Sequence, residues 1–155
     1  MQKHESLSES QQSTNAAQEN IRGSNNSGRS RIRQINATAL AYMGDSVYEV
    51  HIREYLINKG NYKVDRLHKS ATKYVSAKAQ SMIVKKLIES EFLTDEEFDV
   101  YKRGRNRHTN TLPKNTSPMT YKEATGFEAL IGYLYMLGQN DRVLEIINKA
   151  IEIVG

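Results

Sequence analysis

The chain has 155 residues, 38% of them hydrophobic and 26% charged, with no cysteine and a formal net charge of +4 at pH 7. That length suits one domain, and a cysteine-free chain excludes disulfides, thiolate metal sites and a cysteine nucleophile, in keeping with a reducing cytoplasm. The apolar run Ala129 to Leu137 is broken by Gly132 and is far shorter than the roughly 20 residues of a membrane-spanning helix, so no membrane segment is expected.

Residues 1–30 are rich in Ser, Asn, Gln and Glu, with no apolar leader core, and read as a disordered polar tail before a domain over 31–155. Arg29, Arg31 and Arg33 at its end are either solubilising charges or contacts to a phosphate backbone. Asn36 is a capping residue for the first helix of the domain. On that helix Leu40, Met43, Val47 and Val50 form one apolar stripe, and Ala41, Tyr48, Ile52 and Tyr55 a second. At helical pitch the two lie roughly 100–130° apart, which predicts a central helix packed on two sides and closed near Gly60.

A short helical stretch follows around Val64 to Ala71, then a longer one from about Ser76 to Glu89. Thr94-Asp95-Glu96-Glu97 is a capping box that opens another helix. From Gly104 to Thr120 the helical pattern fails, and Pro113 and Pro118 indicate a loop. A strongly apolar helix runs from about Tyr121 to Leu137 and stops at Gly138, and a last amphipathic helix is capped by Asn140 or Asp141. No strand alternation or internal repeat is present, so the expected fold class is all-α.

Two carboxylates sit where apolar helices should carry none. Asp45 lies at the edge of the second stripe among Ala41, Gly44 and Ser46, and Glu128 lies in Phe127-Glu128-Ala129-Leu130-Ile131 with Ala124 and Gly132 a turn away. A desolvated acid is costly, so small neighbours at both positions suggest space kept for a ligand, and two acids meeting across a helix contact would suit a hard cation such as Mg²⁺. The alternative for each is a partly solvated or arginine-bound acid, with the glycines serving close helix packing.

Tyr42-Met43-Gly44-Asp45-Ser46-Val47-Tyr48-Glu49 resembles the signature helix of the ribonuclease III family, and Phe127-Glu128-Ala129-Leu130-Ile131-Gly132-Tyr133-Leu134-Tyr135 resembles its second acidic motif. The similarity extends over about Asn36 to Val154. It is nearest to the Mini-III branch, which lacks a separate double-stranded-RNA-binding domain; the loop from Arg103 to Thr116 also looks like Mini-III. The resemblance implies a helical endonuclease domain and Mg²⁺-dependent cleavage of double-stranded RNA to 5′-phosphate and 3′-hydroxyl ends. Asp45 and Glu128 would be the catalytic and metal-binding residues. It further implies a homodimer, a large-subunit (23S) ribosomal RNA precursor as substrate, and a ribosomal protein on that substrate as a further partner. Full-length family members carry two more carboxylates, at positions occupied here by Ala41 and Thr125, which leaves the number of metal ions open. Glu49 is a solvated or bridging acid, or an outer-shell group.

Lys102, Arg103, Arg105, Arg107 and Lys114 form a five-cation stretch with no acid from Lys102 to Lys122, a candidate surface for duplex RNA. The four histidines fall at unrelated spacings. Two other readings stand beside the nuclease: a non-catalytic RNA-binding protein on a ribonuclease III scaffold associated with the ribosome, and a helical adaptor, which would leave the acids unexplained.

Overall fold

The computed structural model describes residues 26–60, 62–107 and 114–155. Every regular element among them is a helix: α1 (Asn26–Arg33), α2 (Ala37–Asn58), α3 (Val64–Val75), α4 (Ala77–Glu89), α5 (Asp95–Asn106), α6 (Pro118–Met136) and α7 (Asn140–Val154). No helix of the described residues is long and apolar enough to cross a membrane.

Local chemistry sets the helix ends. Asn36 Oδ1 accepts from the Ala39 N–H at 2.9 Å, and Thr94 and Glu97 complete the expected capping box. Gly60 and Gly138 take φ of +89° and +77° just beyond α2 and α6, the left-handed conformation glycine tolerates best. Pro118 differs from expectation: it does not belong to a loop but starts α6, capped by Ser117, because a first-turn residue needs no N–H donor. Helix α5 likewise continues past Gly104 to Asn106, α3 extends to Val75, and Gln139 stands at the N-cap of α7.

The centre of the domain is α6, where Phe127, Ala129, Leu130 and Ile131 are fully buried and which packs against α2, α4, α5 and α7. Helix α2 is therefore not the central helix. Its two stripes merge into one broad arc that covers α6 and α3, while Val50, assigned to the first stripe, is exposed together with Tyr42 and Ile57. Tyr48 ties the three helices together: its ring meets Phe127 edge-on at 5.2 Å, and its hydroxyl donates to the Tyr74 carbonyl at 2.9 Å.

Helix α1 begins inside the stretch that composition assigned to the tail; residues 1–25 lie outside the described residues. Ile32 is buried, and Arg29 and Arg33 both bond Glu96 of α5, at 3.2 and 2.9 Å. The Tyr133 hydroxyl donates to the same Glu96 oxygen at 2.6 Å. These arginines are thus engaged within the protein.

Candidate active site

The site starts from two glycines. A Cβ on Gly44 would overlap the Glu128 carbonyl oxygen, and a Cβ on Gly132 would overlap that of Leu40. Helices α2 and α6 therefore cross in backbone contact, which any side chain at 44 or 132 would prevent. The small residues do not leave room above the carboxylates, as the sequence suggested. They let the two helices touch, and that contact brings the acids together.

At this crossing Asp45 is exposed and Glu128 half-buried, with their carboxyl groups close enough to interact. Burial, reinforced by the Asp45 charge and hydrogen bond and by the more distant Glu49 charge, pushes the Glu128 carboxyl up to about 9. Among the described residues neither acid forms an ion pair with a lysine, arginine or histidine. An acid pair without a protein cation is relieved by a proton or by a bound positive ion.

The two positions that bear acids in full-length family members contribute no carboxylate. Ala41 is buried, and the Thr125 hydroxyl donates to the Tyr121 carbonyl at 2.9 Å. No three Asp, Glu, His or Cys side chains of the described residues converge on one point. A hard cation between Asp45 and Glu128 would keep most of its coordination for water and substrate oxygens, the usual habit of Mg²⁺.

The cations expected to meet RNA divide because Lys102, Arg103 and Arg105 are helical: Lys102 and Arg105, three residues apart, share one face, and Arg103 stands on another. Lys102 pairs with Asp99 at 3.3 Å and lies over the Phe98 ring. Arg103 donates to the Ile35 carbonyl at 3.2 Å, bracing the α1–α2 link, and Arg105 lies over Tyr101. Arg107 and Lys114 are exposed, and residues 108–113 between them lie outside the described residues. A second basic surface escaped the sequence reading. Lys63, Arg66, Lys69, Lys73 and Lys78 are all exposed on α3 and its flanks, opposed only by Asp65 within that stretch, and none forms an ion pair among the described residues. The charge run is present in the sequence, but apolar residues and Asp65 interrupt it, so it stands out less than the acid-free stretch from Lys102 to Lys122. Of the histidines, His51 Nδ1 bonds the Val47 carbonyl at 2.7 Å and His68 is exposed; His4 and His108 lie outside the described residues.

An all-α domain whose acids meet where two helices cross is the architecture of a known nuclease class, and the Ribonuclease III domain family matches residues 38–139. The Mini-ribonuclease 3 of Enterococcus faecalis is 49% identical over 79% of this chain and 93% of its own. That of Streptococcus pneumoniae is 45% identical over 78% and 94%. A crystal structure of a Fusobacterium nucleatum protein superposes with a TM-score of 0.70 at 38% identity, covering 78% of this chain and 95% of that one. The chain belongs to the ribonuclease III family, in its Mini-ribonuclease 3 branch, and is an endoribonuclease.

Proposed function

We propose that this endoribonuclease cleaves double-stranded RNA with Mg²⁺ held between Asp45 and Glu128, leaving 5′-phosphate and 3′-hydroxyl ends. The observation that carries the reading is the meeting of the two carboxyl groups at the Gly44–Gly132 crossing, with neither ion-paired to a protein cation among the described residues. Mg²⁺, when bound, supplies the charge that polarises the phosphodiester and eases deprotonation of a water. Glu128 anchors the site from the core side and Asp45 presents its carboxylate to solvent, where a phosphate can approach. The cations at the end of α5, with Lys114, and the row along α3 offer charge to the RNA backbone; A-form duplexes are recognised largely through phosphates and 2′-hydroxyls.

The active form is a homodimer built on the outer face of α2. Tyr42, Val50 and Ile57 are 80%, 60% and 43% exposed along that face, and an apolar groove lined by Leu56, Ile57, Val64, Leu67 and Ala71 adjoins it. Exposed apolar side chains set around Arg53 on one helix face, beside a groove that Arg53 and His68 also line, suit a two-fold interface. Kinship to Mini-ribonuclease 3 supports the large-subunit (23S) ribosomal RNA precursor as substrate, a ribosomal protein bound to it as partner, and a cytoplasmic site of action.

Incubation of the purified protein with long duplex RNA tests the reading. Cleavage is expected with Mg²⁺ and not without it. Asp45→Asn and Glu128→Gln are expected to abolish cleavage while helical circular dichroism and duplex binding persist. A protein that binds the duplex but never cuts it would be a non-catalytic scaffold.

A further inference from the structure

Asp45, Glu49 and Arg53 follow one another at four-residue intervals along α2 and so form one ridge on its surface. Asp45 is exposed at one end and Arg53 at the other, with the half-buried Glu49 between them. Arg53 Nη2 donates to Glu49 Oε2 at 3.1 Å, the one hydrogen bond of the Glu49 side chain among the described residues. Nothing in the core requires Glu49: it reaches no other helix by a bond, and its ion pair is a local one on an exposed surface, a kind that adds little to stability. Yet it stands one helical turn from Asp45, about 5–6 Å between Cβ atoms, on the same flank of α2. The ridge thus carries two acids toward the crossing, of which only the first meets Glu128.

Two convergent carboxylates leave a divalent ion largely dressed in water. Outer groups that accept hydrogen bonds from such waters tune metal affinity, and their loss costs about 10–100-fold. We propose that Glu49 is a third acidic partner of the divalent ion, acting through the ion's waters rather than by direct ligation, and that Arg53 competes with the ion for it. This rests on the metal site proposed above. Glu49 is here a positioning residue, and Arg53 weakens the site by neutralising it.

The test is Mn²⁺ binding to the RNA-free protein, read as loss of the free-ion electron paramagnetic resonance signal, so that cleavage is not the readout. Wild-type protein is expected to bind Mn²⁺ and Asp45→Asn to lose it. Glu49→Gln should weaken binding about 10-fold, and Arg53→Gln should tighten it, the opposite sign. If Glu49 served only its helical ion pair, both variants would lose that pair alike and bind Mn²⁺ as wild type does, which overturns the assignment while leaving Asp45 and Glu128 in place. A wild-type protein that binds no Mn²⁺, or binding untouched by Asp45→Asn, overturns the metal site itself and this inference with it.

Discussion

Arg142 on α7 grips both oxygens of Glu97 on α5, Nε to Oε2 at 2.9 Å and Nη2 to Oε1 at 2.8 Å. The same guanidinium donates to the Phe92 carbonyl at 2.6 Å, so one side chain pins α7, the start of α5 and the α4–α5 link. Glu97 is buried, and its Oε1 also closes the capping box on the Thr94 N–H. Removing one partner of a buried pair strands the other, so Arg142→Met should lower stability by about 3 kcal/mol or more in urea unfolding. A loss below about 1 kcal/mol would mean that the pair is replaceable by water.

The same pair predicts an acid limb. Burial pulls the Glu97 carboxyl up, but the Arg142 hydrogen bond, the Thr94 N–H and the Arg142 charge outweigh it and hold it below the usual carboxylate range. Glu96 is also held low, chiefly by the Tyr133 hydroxyl and, against opposing burial, by Arg33 and Arg29. Native carboxylates that resist protonation stabilise fully above the unfolded value of about 4.3, and that contribution is lost as pH falls through the lower folded values. Melting temperature should therefore drop below about pH 4.3, and less steeply in Glu97→Gln. Parallel acid limbs in the two proteins would remove Glu97 from the explanation.

Gly44→Ala and Gly132→Ala each place a methyl group against the backbone of the opposing helix. Backbone cannot rotate away as a side chain can, so each should destabilise by more than about 3 kcal/mol, beyond ordinary overpacking. Exposed Ser46→Ala should stay within about 0.5 kcal/mol. At the second glycine contact, a Cβ on Gly104 would meet the Gly126 Cα at 2.8 Å and the Ala129 Cβ at 2.9 Å, a milder clash, and Gly104→Ala should fall between these extremes. Thermal melts rank the four variants, and a Gly44→Ala protein melting with wild type would disprove the tight crossing.

Glu91 holds φ +54° just past α4, while the Phe92 N–H bonds the Leu87 carbonyl at 3.0 Å. A left-handed conformation costs a residue with a Cβ roughly 1–2 kcal/mol, and an acid at a helix C-terminus opposes the helix dipole. Glu91→Gly is thus expected to raise stability by about 0.5–1 kcal/mol after its greater unfolded-state freedom is deducted. A destabilised variant would show that the Glu91 side chain has an unrecognised role.

Val50→Asp replaces one of the exposed apolar side chains on the outer face of α2 with a charge without touching the core, since Val50 is 60% exposed. In sedimentation the wild-type chain should run as a dimer and the variant as a monomer of unchanged helicity. A wild-type monomer at micromolar concentration would move the interface elsewhere or abolish it.

What could be read from sequence was what local chemistry determines. The capping box at Thr94, the Asn36 cap and the terminal glycines at 60 and 138 depend on residues within one turn, and each stands where expected. Asp45 and Glu128 stood out because an acid on an apolar helix has few explanations. The rest needed a partner in view. Gly44 and Gly132 are readable from sequence either as space beside a carboxylate or as close helix packing, and only the opposing helix decides for packing. Val50 belonged to an apolar stripe by spacing, yet spacing cannot say where a neighbouring helix ends. Pro118 carried the signature of a loop and of a helix start alike, and Ser117 before it decided the matter. The five cations counted as one stretch parted once most of them proved to be helical.

Because α2 and α6 touch main chain to main chain, the separation of the two acids is a ruler cut from peptide geometry rather than from interlocking side chains. Substitutions elsewhere in the interior can accumulate and the surface can diverge while the span between Asp45 and Glu128 keeps its length. Such a centre draws its tolerance for change from its surroundings and has least of it at two glycines.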